Sequence, residues 1–305
     1  MNIVVMRDVA IAAYNLSKRY AKAKKYAVRG LDFDIKTGEA YGFLGPNGAG
    51  KTTTIRLLMN FIQPTQGEAK ILDLDSVVNS VEIKSKVGYL SGEITFYPKM
   101  TGRQFLRYME ELHPPKNGSY LRQLVRLFEF NASQKIGELS KGNRQKLGII
   151  QAFMNQPQIL ILDEPSGGLD PLMQEAFYEL VRQTKSRGAT LFISSHNLGE
   201  VQKMCDRVGF IRQGRLVAEQ TIGDFAKQST QVYDISFAKE APVNEIIRVV
   251  KAKVLVHTPH YITVKVKGDL TPLFSVLSHH KVNSLDRRES SLEEEFLSFY
   301  KESKE

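Results

Sequence analysis

The sequence predicts an α/β protein in two parts: a larger α/β part over residues 1–225, with a helical insert at about 101–155, and a small α+β domain over 226–305. Three observations carry this. A glycine-rich loop, Gly45-Pro46-Asn47-Gly48-Ala49-Gly50-Lys51-Thr52-Thr53, lies between a short apolar strand, Ala40 to Leu44, and a segment with helical apolar spacing, Thr53 to Met59. A run of aliphatic residues, Ile159 to Leu162, ends in Asp163 and Glu164, as expected of a central parallel strand that delivers acids at its C-terminal edge. After residue 226, strand and helix patterns follow one another as strand, helix, two strands, helix and strand, the order of a split βαβ unit.

The chain opens with a segment, Ile11 to Asp34, in which a polar, basic bend, Leu16-Ser17-Lys18-Arg19-Tyr20, precedes alternating Ala27, Leu31, Phe33 and Ile35. This reads as paired antiparallel strands at a sheet edge. Tyr20 is either a core aromatic or a ring face on which a purine base can stack.

The glycine-rich loop comes next and matches the phosphate-loop pattern in its required strand–loop–helix context. Glycines at 45, 48 and 50 let successive backbone N–H groups face an anion, and the positive end of the following helix adds to them. Lys51 can reach the β- and γ-phosphates of a nucleotide, and the Thr52 hydroxyl can ligate Mg²⁺.

Between Ile71 and Pro98 stand two short strand-like pieces and the turn Leu90-Ser91-Gly92-Glu93. From Thr101 the period turns helical. Phe105, Leu106, Tyr108, Met109 and Leu112 form one stripe, and after Pro114-Pro115 so do Leu121, Leu124, Val125, Leu127 and Phe128. Leu139-Ser140-Lys141-Gly142-Asn143 then leads into a helix over Arg144 to Phe153. Ser140 either caps that helix or, with the N–H groups near Gly142 and the helix dipole, forms a second anion site.

Along the strand ending at Glu164 alternation points neighbouring side chains to opposite sides, so Asp163 and Glu164 take different jobs. Asp163 suits a Mg²⁺ shell; Glu164 suits the base that polarises an attacking water. The turn Pro165 to Asp170, a helix over Met173 to Lys185 and a buried strand, Thr190 to Ser195, follow. His196, at that strand's edge, either satisfies a structural hydrogen bond or contacts a γ-phosphate. Val208 to Ile211 and Arg215 to Ala218 form a hairpin about Arg212-Gln213-Gly214. The small domain then runs Val232 to Phe237 (strand), Val243 to Lys251 (helix), Val254 to His257 and Tyr261 to Val266 (strands), Leu270 to His279 (helix) and Val282 to Asp286 (strand). A last helix, Ser291 to Tyr300, is capped by Ser291 with Glu294.

Composition narrows the function classes. A single cysteine, Cys205, forms no internal disulfide, which suits a reducing compartment, and it reads as a packed apolar residue rather than a nucleophile. No apolar run approaches the roughly 18–20 residues that span a bilayer. The net charge of +9 is compatible with nucleic acid, an anionic membrane surface or a basic solvated face. Because the basic residues are scattered, apart from Lys18 to Lys25, no specific nucleic acid is expected as a partner.

In their order and spacing these residues resemble one family, the ATP-binding cassette (ABC) ATPases, over about residues 10–225. The resemblance makes Gly45 to Thr53 the Walker A loop, Leu139 to Asn143 the signature motif, and Ile159 to Glu164 the Walker B strand with its catalytic glutamate. Gly167 to Asp170 becomes the D-loop, His196 the switch histidine and Tyr20 the adenine-stacking aromatic. It implies a P-loop NTPase (RecA-like) core with an antiparallel β subdomain and an α-helical subdomain, and ATP and Mg²⁺ as cofactors. It also implies a head-to-tail homodimer, or pairing with another ABC subunit, in which each ATP lies between one Walker A and the other signature.

The tail around Ser291 to Phe296 resembles that of bacterial drug- and peptide-antibiotic-export ABC subunits. The implied role is an ATPase on the cytoplasmic face of the membrane, peripheral to it, driving a separate transmembrane permease. The alternatives are a nucleic-acid- or ribosome-associated ABC ATPase, and a regulatory ATP-binding module with weak hydrolysis. Two positions depart from the family pattern. Asn143 replaces the signature's usual glutamine, and Gly92 stands where the Q-loop glutamine is expected, so either neighbours such as Glu93 or water complete the Mg²⁺ shell, or nothing does and basal turnover is low.

Overall fold

A computed structural model describes residues 9–21, 23–113, 118–224, 230–250 and 252–288. The chain starts with β1 (Val9–Lys18), β2 (Val28–Lys36) and β3 (Ala40–Leu44). β1 and β2 pair antiparallel, with Ile11 opposite Ile35 and Ala13 opposite Phe33, and Leu31, Phe33 and Ile35 of β2 point inward. After β3 and α1 (Lys51–Leu58) the chain returns as β4 (Gln66–Ile71) and β5 (Leu74–Asp75). The first sheet has the order β2-β1-β4-β5. The β1–β2 pair is therefore antiparallel and forms one edge of a separate sheet, with β2 outermost and β1 next to β4, in agreement with the sequence pattern. β4 escaped that reading because its first three residues, Gln66, Gly67 and Glu68, are polar or small and exposed.

β3 enters a second sheet. It is joined there by β6 (Val87–Leu90), which follows α2 (Ser80–Lys86), a helix whose only buried residue is Ile83. The insert comprises α3 (Gly102–Leu112), α4 (Gly118–Leu127), a 3₁₀ turn at Ile136–Glu138 and α5 (Lys141–Phe153). Thr101 and Gln104 close a capping box at the start of α3, satisfying two N–H groups that the first turn leaves unpaired. The α3 stripe is only half used by this chain: Phe105 and Leu106 are buried, whereas Tyr108 and Leu112 are exposed.

Next come β7 (Ile159–Asp163), α6 (Pro171–Ser186), β8 (Thr190–Ser195), α7 (Leu198–Met204) and the hairpin of β9 (Arg207–Arg212) and β10 (Arg215–Thr221). The order in the second sheet is β10-β9-β3-β8-β7-β6, and β9, β3, β8, β7 and β6 run parallel. β3, β7 and β8 are buried along their whole length, which is why β3, β7 up to Asp163 and the middle of β8, Leu191 to Ile193, are apolar. Their register brings Leu44 beside Ser195 and Asp163 beside Ser194, so the segments leaving β3, β7 and β8 emerge at one sheet edge.

The two sheets are joined by rings. Phe33 of the first sheet meets Tyr41, Phe43 and Phe192 of the second at centroid distances of 6.0, 5.9 and 6.1 Å, and Phe43 and Phe192 stand 5.2 Å apart. A polar clasp lies beside them. Arg207 bonds both oxygens of Glu39 (2.8 and 3.2 Å) and Oε1 of Glu219 (3.1 Å), while the Tyr41 hydroxyl donates to the same Glu219 oxygen at 2.6 Å. Burial pushes the Tyr41 hydroxyl well above the usual phenol range, so it remains a donor to Glu219.

The chain divides into two compact units, Met1–Glu219 and Gln220–Glu305. The second contains β11 (Thr230–Phe237), α8 (Val243–Val250), β12 (Lys253–Thr258), β13 (Tyr261–Lys267), α9 (Thr271–Leu277) and β14 (Val282–Arg288). Its strand order is β12-β13-β11-β14 with every pair antiparallel, the split βαβ arrangement. Tyr233, Ile235, Phe237, Ile262, Val264 and Val266 face the helices, where Ile246, Leu273 and Val276 complete a separate core. The final helix expected at Ser291 to Tyr300, with its cap, lies outside the described residues.

The ring cluster that couples the sheets gives a stability test. Phe192 is fully buried and touches all three other rings. Phe192→Ala is expected to destabilise the first unit by about 3–5 kcal/mol, read as a lowered denaturant midpoint; a loss within about 1 kcal/mol would show that the sheets do not depend on this cluster.

Candidate active site

The phosphate loop is shaped by what its glycines leave out. A Cβ on Gly45 would stand 2.3 Å from the Ile211 carbonyl oxygen, so the loop passes β9 only without a side chain there. Gly50, which caps α1, has φ 113°, a conformation that suits glycine alone. The loop is pinned on both flanks: Gly45 N–H donates to the Ser195 carbonyl (3.2 Å) and Gly214 N–H donates to the Ala49 carbonyl (2.8 Å). Asn47 and Gly48 remain exposed, Pro46 and Thr53 partly so, and Thr52 is exposed on the first turn of α1.

Lys51 is buried, and its ammonium donates to the carbonyls of Gly45 (2.6 Å) and Pro46 (3.2 Å). Its third neighbour is Glu164 Oε1 at 3.2 Å. The other Glu164 oxygen, Oε2, lies 2.7 Å from His196 Nδ1. Residues that are far apart in sequence, Lys51, Glu164 and His196, thus form one chain of polar contacts at the sheet edge. Glu164 has φ 48°, a left-handed backbone that costs a non-glycine residue of order 1–3 kcal/mol. Ser194 holds this conformation, since the Glu164 N–H donates to both the carbonyl (3.2 Å) and the hydroxyl (3.1 Å) of Ser194.

Asp163 and Glu164 do go to different environments. Asp163 is 1% exposed; its Oδ1 accepts the Ser194 hydroxyl at 2.5 Å, and its Oδ2 is buried without a hydrogen-bond partner. Such an unpaired carboxylate oxygen is costly to bury, and it suits a hard, oxygen-seeking cation. With the Thr52 hydroxyl exposed at the start of α1, the residues present fit Mg²⁺. Gly92 follows β6 alongside: a Cβ there would stand 3.1 Å from Asp163 Oδ2.

Tyr20 is not a core aromatic. It is 39% exposed, with the Lys18 ammonium 5.6 Å from its ring centroid. Ser140 caps α5, accepting from Asn143 N–H at 3.2 Å; among the described residues its side chain makes no hydrogen bond to the Lys51–Glu164–His196 cluster. Gly142 packs against the turn after Glu164, where a Cβ would come within 2.7 Å of the Gly168 carbonyl oxygen. Cys205 is buried, and burial pushes its thiol well above the usual range, which leaves it unreactive.

Sequence reasoning missed two residues of this site. Ser194 bridges Asp163 Oδ1 and the Glu164 N–H; its signal was a serine pair closing an otherwise apolar strand. Gln145, buried in α5, donates to the Pro165 carbonyl at 2.7 Å and ties the helix that starts at Ser140 to the turn after Glu164.

The family model described as ABC transporter matches residues 28–167. The linearmycin resistance ATP-binding protein LnrL of Bacillus subtilis is 30% identical over 308 residues, covering 94% of this chain and 97% of its own length, so the match extends into the second unit. The bacitracin transport ATP-binding protein BcrA of Bacillus licheniformis is 34% identical, with 75% of this chain and 76% of its own length covered. A solved ATP-binding subunit of an ABC transporter superposes with TM-score 0.65 at 27% identity, covering 71% of this chain and 91% of that one. A dimeric bacterial ABC transporter cassette shares the fold, with TM-score 0.64 at 23% identity, over 70% of this chain and 98% of its own. The chain belongs to the ABC transporter ATP-binding family and is an ABC ATPase.

Proposed function

We propose that this ATPase powers a bacterial exporter of drug-like or peptide-antibiotic compounds as a peripheral subunit on the cytoplasmic face of the membrane, working as a dimer with a separate transmembrane permease. The observation that carries the catalytic part is the convergence of Lys51, Asp163, Glu164 and His196 beside the phosphate loop. The export part is supported by the relatives named for linearmycin resistance and bacitracin transport, one of them matched over 94% of this chain. Among the described residues no helix is long and apolar enough to cross a membrane. Exposed Tyr97, Tyr108 and Leu112, on and beside α3, support a protein partner at the helical insert.

In this reading the loop from Gly45 to Thr53 cradles the phosphates of ATP and Tyr20 stacks on the base. Lys51 exchanges its contact with Glu164 for the β- and γ-phosphates, which frees the Glu164 carboxylate to polarise water. His196 holds that carboxylate in position from the opposite side and faces the γ-phosphate. Thr52 and Asp163 are the residues that would hold Mg²⁺, whose charge neutralises the phosphate oxygens. Ser140 and Gly142 serve the nucleotide of the partner subunit, since in their own chain they stand outside the catalytic cluster. Hydrolysis then removes the group that bridges the two subunits, and the dimer opens.

Two measurements test this reading. General-base assistance is worth roughly 10²- to 10⁴-fold, so Glu164→Gln should bind ATP while hydrolysing it at least about a hundredfold more slowly and accumulating a nucleotide-bound dimer. Turnover at the wild-type rate would remove Glu164 from the role of base. Lys51→Ala should weaken nucleotide binding by the monomer, whereas Ser140→Arg should preserve that binding and prevent dimerisation in sedimentation. Equal loss of monomer binding in both variants would contradict a site shared between two chains.

A further inference from the structure

The side chains at the centre of the site do not by themselves attract a polyanion. One ammonium, Lys51, stands against the carboxylate of Glu164, which it touches, and that of Asp163, the preceding residue. A nucleoside di- or triphosphate approaching the loop therefore meets no net positive charge on these groups, and long-range attraction has to come from elsewhere.

Cations are present at the rim. A cavity borders the exposed Gly48 of the phosphate loop and is lined by Lys24, Lys25, Tyr26, Arg29 and Arg215; among the described residues no acid lines it. Backbone bonds fix this wall to the loop: Gly214 N–H donates to the Ala49 carbonyl at 2.8 Å, and Arg29 N–H donates to the Gly214 carbonyl at 2.7 Å. Arg215 is the next residue along. All four cations are exposed. Elsewhere on the first unit, exposed cations are neutralised by acids, as in Lys86 with Glu82 (2.7 Å), Arg182 with Glu179 (2.8 Å) and Lys203 with Glu175 (2.7 Å). Lys24, Lys25, Arg29 and Arg215 form no ion pair among the described residues. The Arg29 guanidinium lies instead 5.8 Å from the Tyr26 ring centroid, and that of Arg19 lies 5.5 Å from the same centroid. A ring supports a guanidinium without cancelling its charge.

We infer that Lys24, Lys25, Arg29 and Arg215 form a cationic rim that steers the nucleotide into the phosphate loop, raising its rate of capture and leaving its rate of release to the buried contacts. The division follows from exposure. Charges on a solvated rim act over distance, through the association rate and its salt dependence, whereas a desolvated charge such as Lys51 acts on dissociation. The inference rests on the reading of Gly45 to Thr53 as the nucleotide cradle. It gives a role to two of the clustered basic residues between Lys18 and Lys25.

The test uses the full chain in EDTA, with the fluorescent nucleotide N-methylanthraniloyl-ADP as the probe. Association is read by stopped flow and dissociation by displacement with unlabelled ADP, at about 0.01 M and about 1 M salt, where charges are felt over about 30 Å and about 3 Å. The triple variant Lys24→Gln, Lys25→Gln, Arg215→Gln is expected to associate about threefold or more slower than wild type at the lower salt and within about twofold of it at the higher, with dissociation within about twofold at both. The charge-keeping variant Lys24→Arg, Lys25→Arg, Arg215→Lys is expected to associate at the wild-type rate. Slowing of the glutamine variant by less than about threefold at the lower salt would overturn the inference. So would slowing that persists at the higher salt or in the charge-keeping variant, or a larger change in dissociation, each of which would make these side chains direct contacts or structural supports. A wild-type chain that takes up no labelled ADP would remove the cradle reading and the inference with it.

Discussion

The buried ammonium of Lys51 is the constraint around which this protein is arranged. A charge 5% exposed must be paired, and here two loop carbonyls and the Glu164 carboxylate pair it. Those partners come from the loops after two different strands, so the pairing exists only if β3 and β7 end at the same level. The parallel register supplies that condition, with β8 between them carrying Ser194 and Ser195 to the same edge. Ser195 bonds the entrance of the phosphate loop through its carbonyl, while Ser194 fixes both acids that follow β7.

Holding that edge in place requires a rigid support behind it. The antiparallel sheet provides one face of the support through Phe33, and the rings of Tyr41, Phe43 and Phe192 the other. The strained backbone at Glu164 is tolerated because its N–H donates to two acceptors on Ser194 and its carboxylate contacts Lys51 and His196, which together over-determine it. Strain, burial and an unsatisfied oxygen all fall within two consecutive residues, Asp163 and Glu164, where a site must stay ready to exchange its internal contacts for those of a ligand.

Most of the site was legible in the sequence because its chemistry is local. The phosphate loop, the apolar run before Asp163 and Glu164, and His196 at a strand end are each short patterns whose residue types declare their surroundings. The rest depends on neighbours that no short window contains. β4 begins with exposed polar residues, and α2 buries one side chain, so neither presents a period. The part played by Ser194 becomes visible only when β8 lies beside β7. For Tyr20 the core reading fell to its exposure, which no local pattern announces.

The central claim is that Glu164 and the phosphates of the nucleotide compete for Lys51. Its most direct measurement is the affinity of a non-hydrolysable ATP analogue, in EDTA, for Glu164→Gln against wild-type Glu164, both in the Ser140→Arg background so that dimer formation does not contribute. An amide at 164 keeps the size of the side chain and removes the competing charge, so the analogue should bind about three- to tenfold more tightly, equivalent to roughly 0.7–1.4 kcal/mol. Equal or weaker binding by the glutamine variant would show that Lys51 is not held back by Glu164, and that the contact between them plays no part in nucleotide capture.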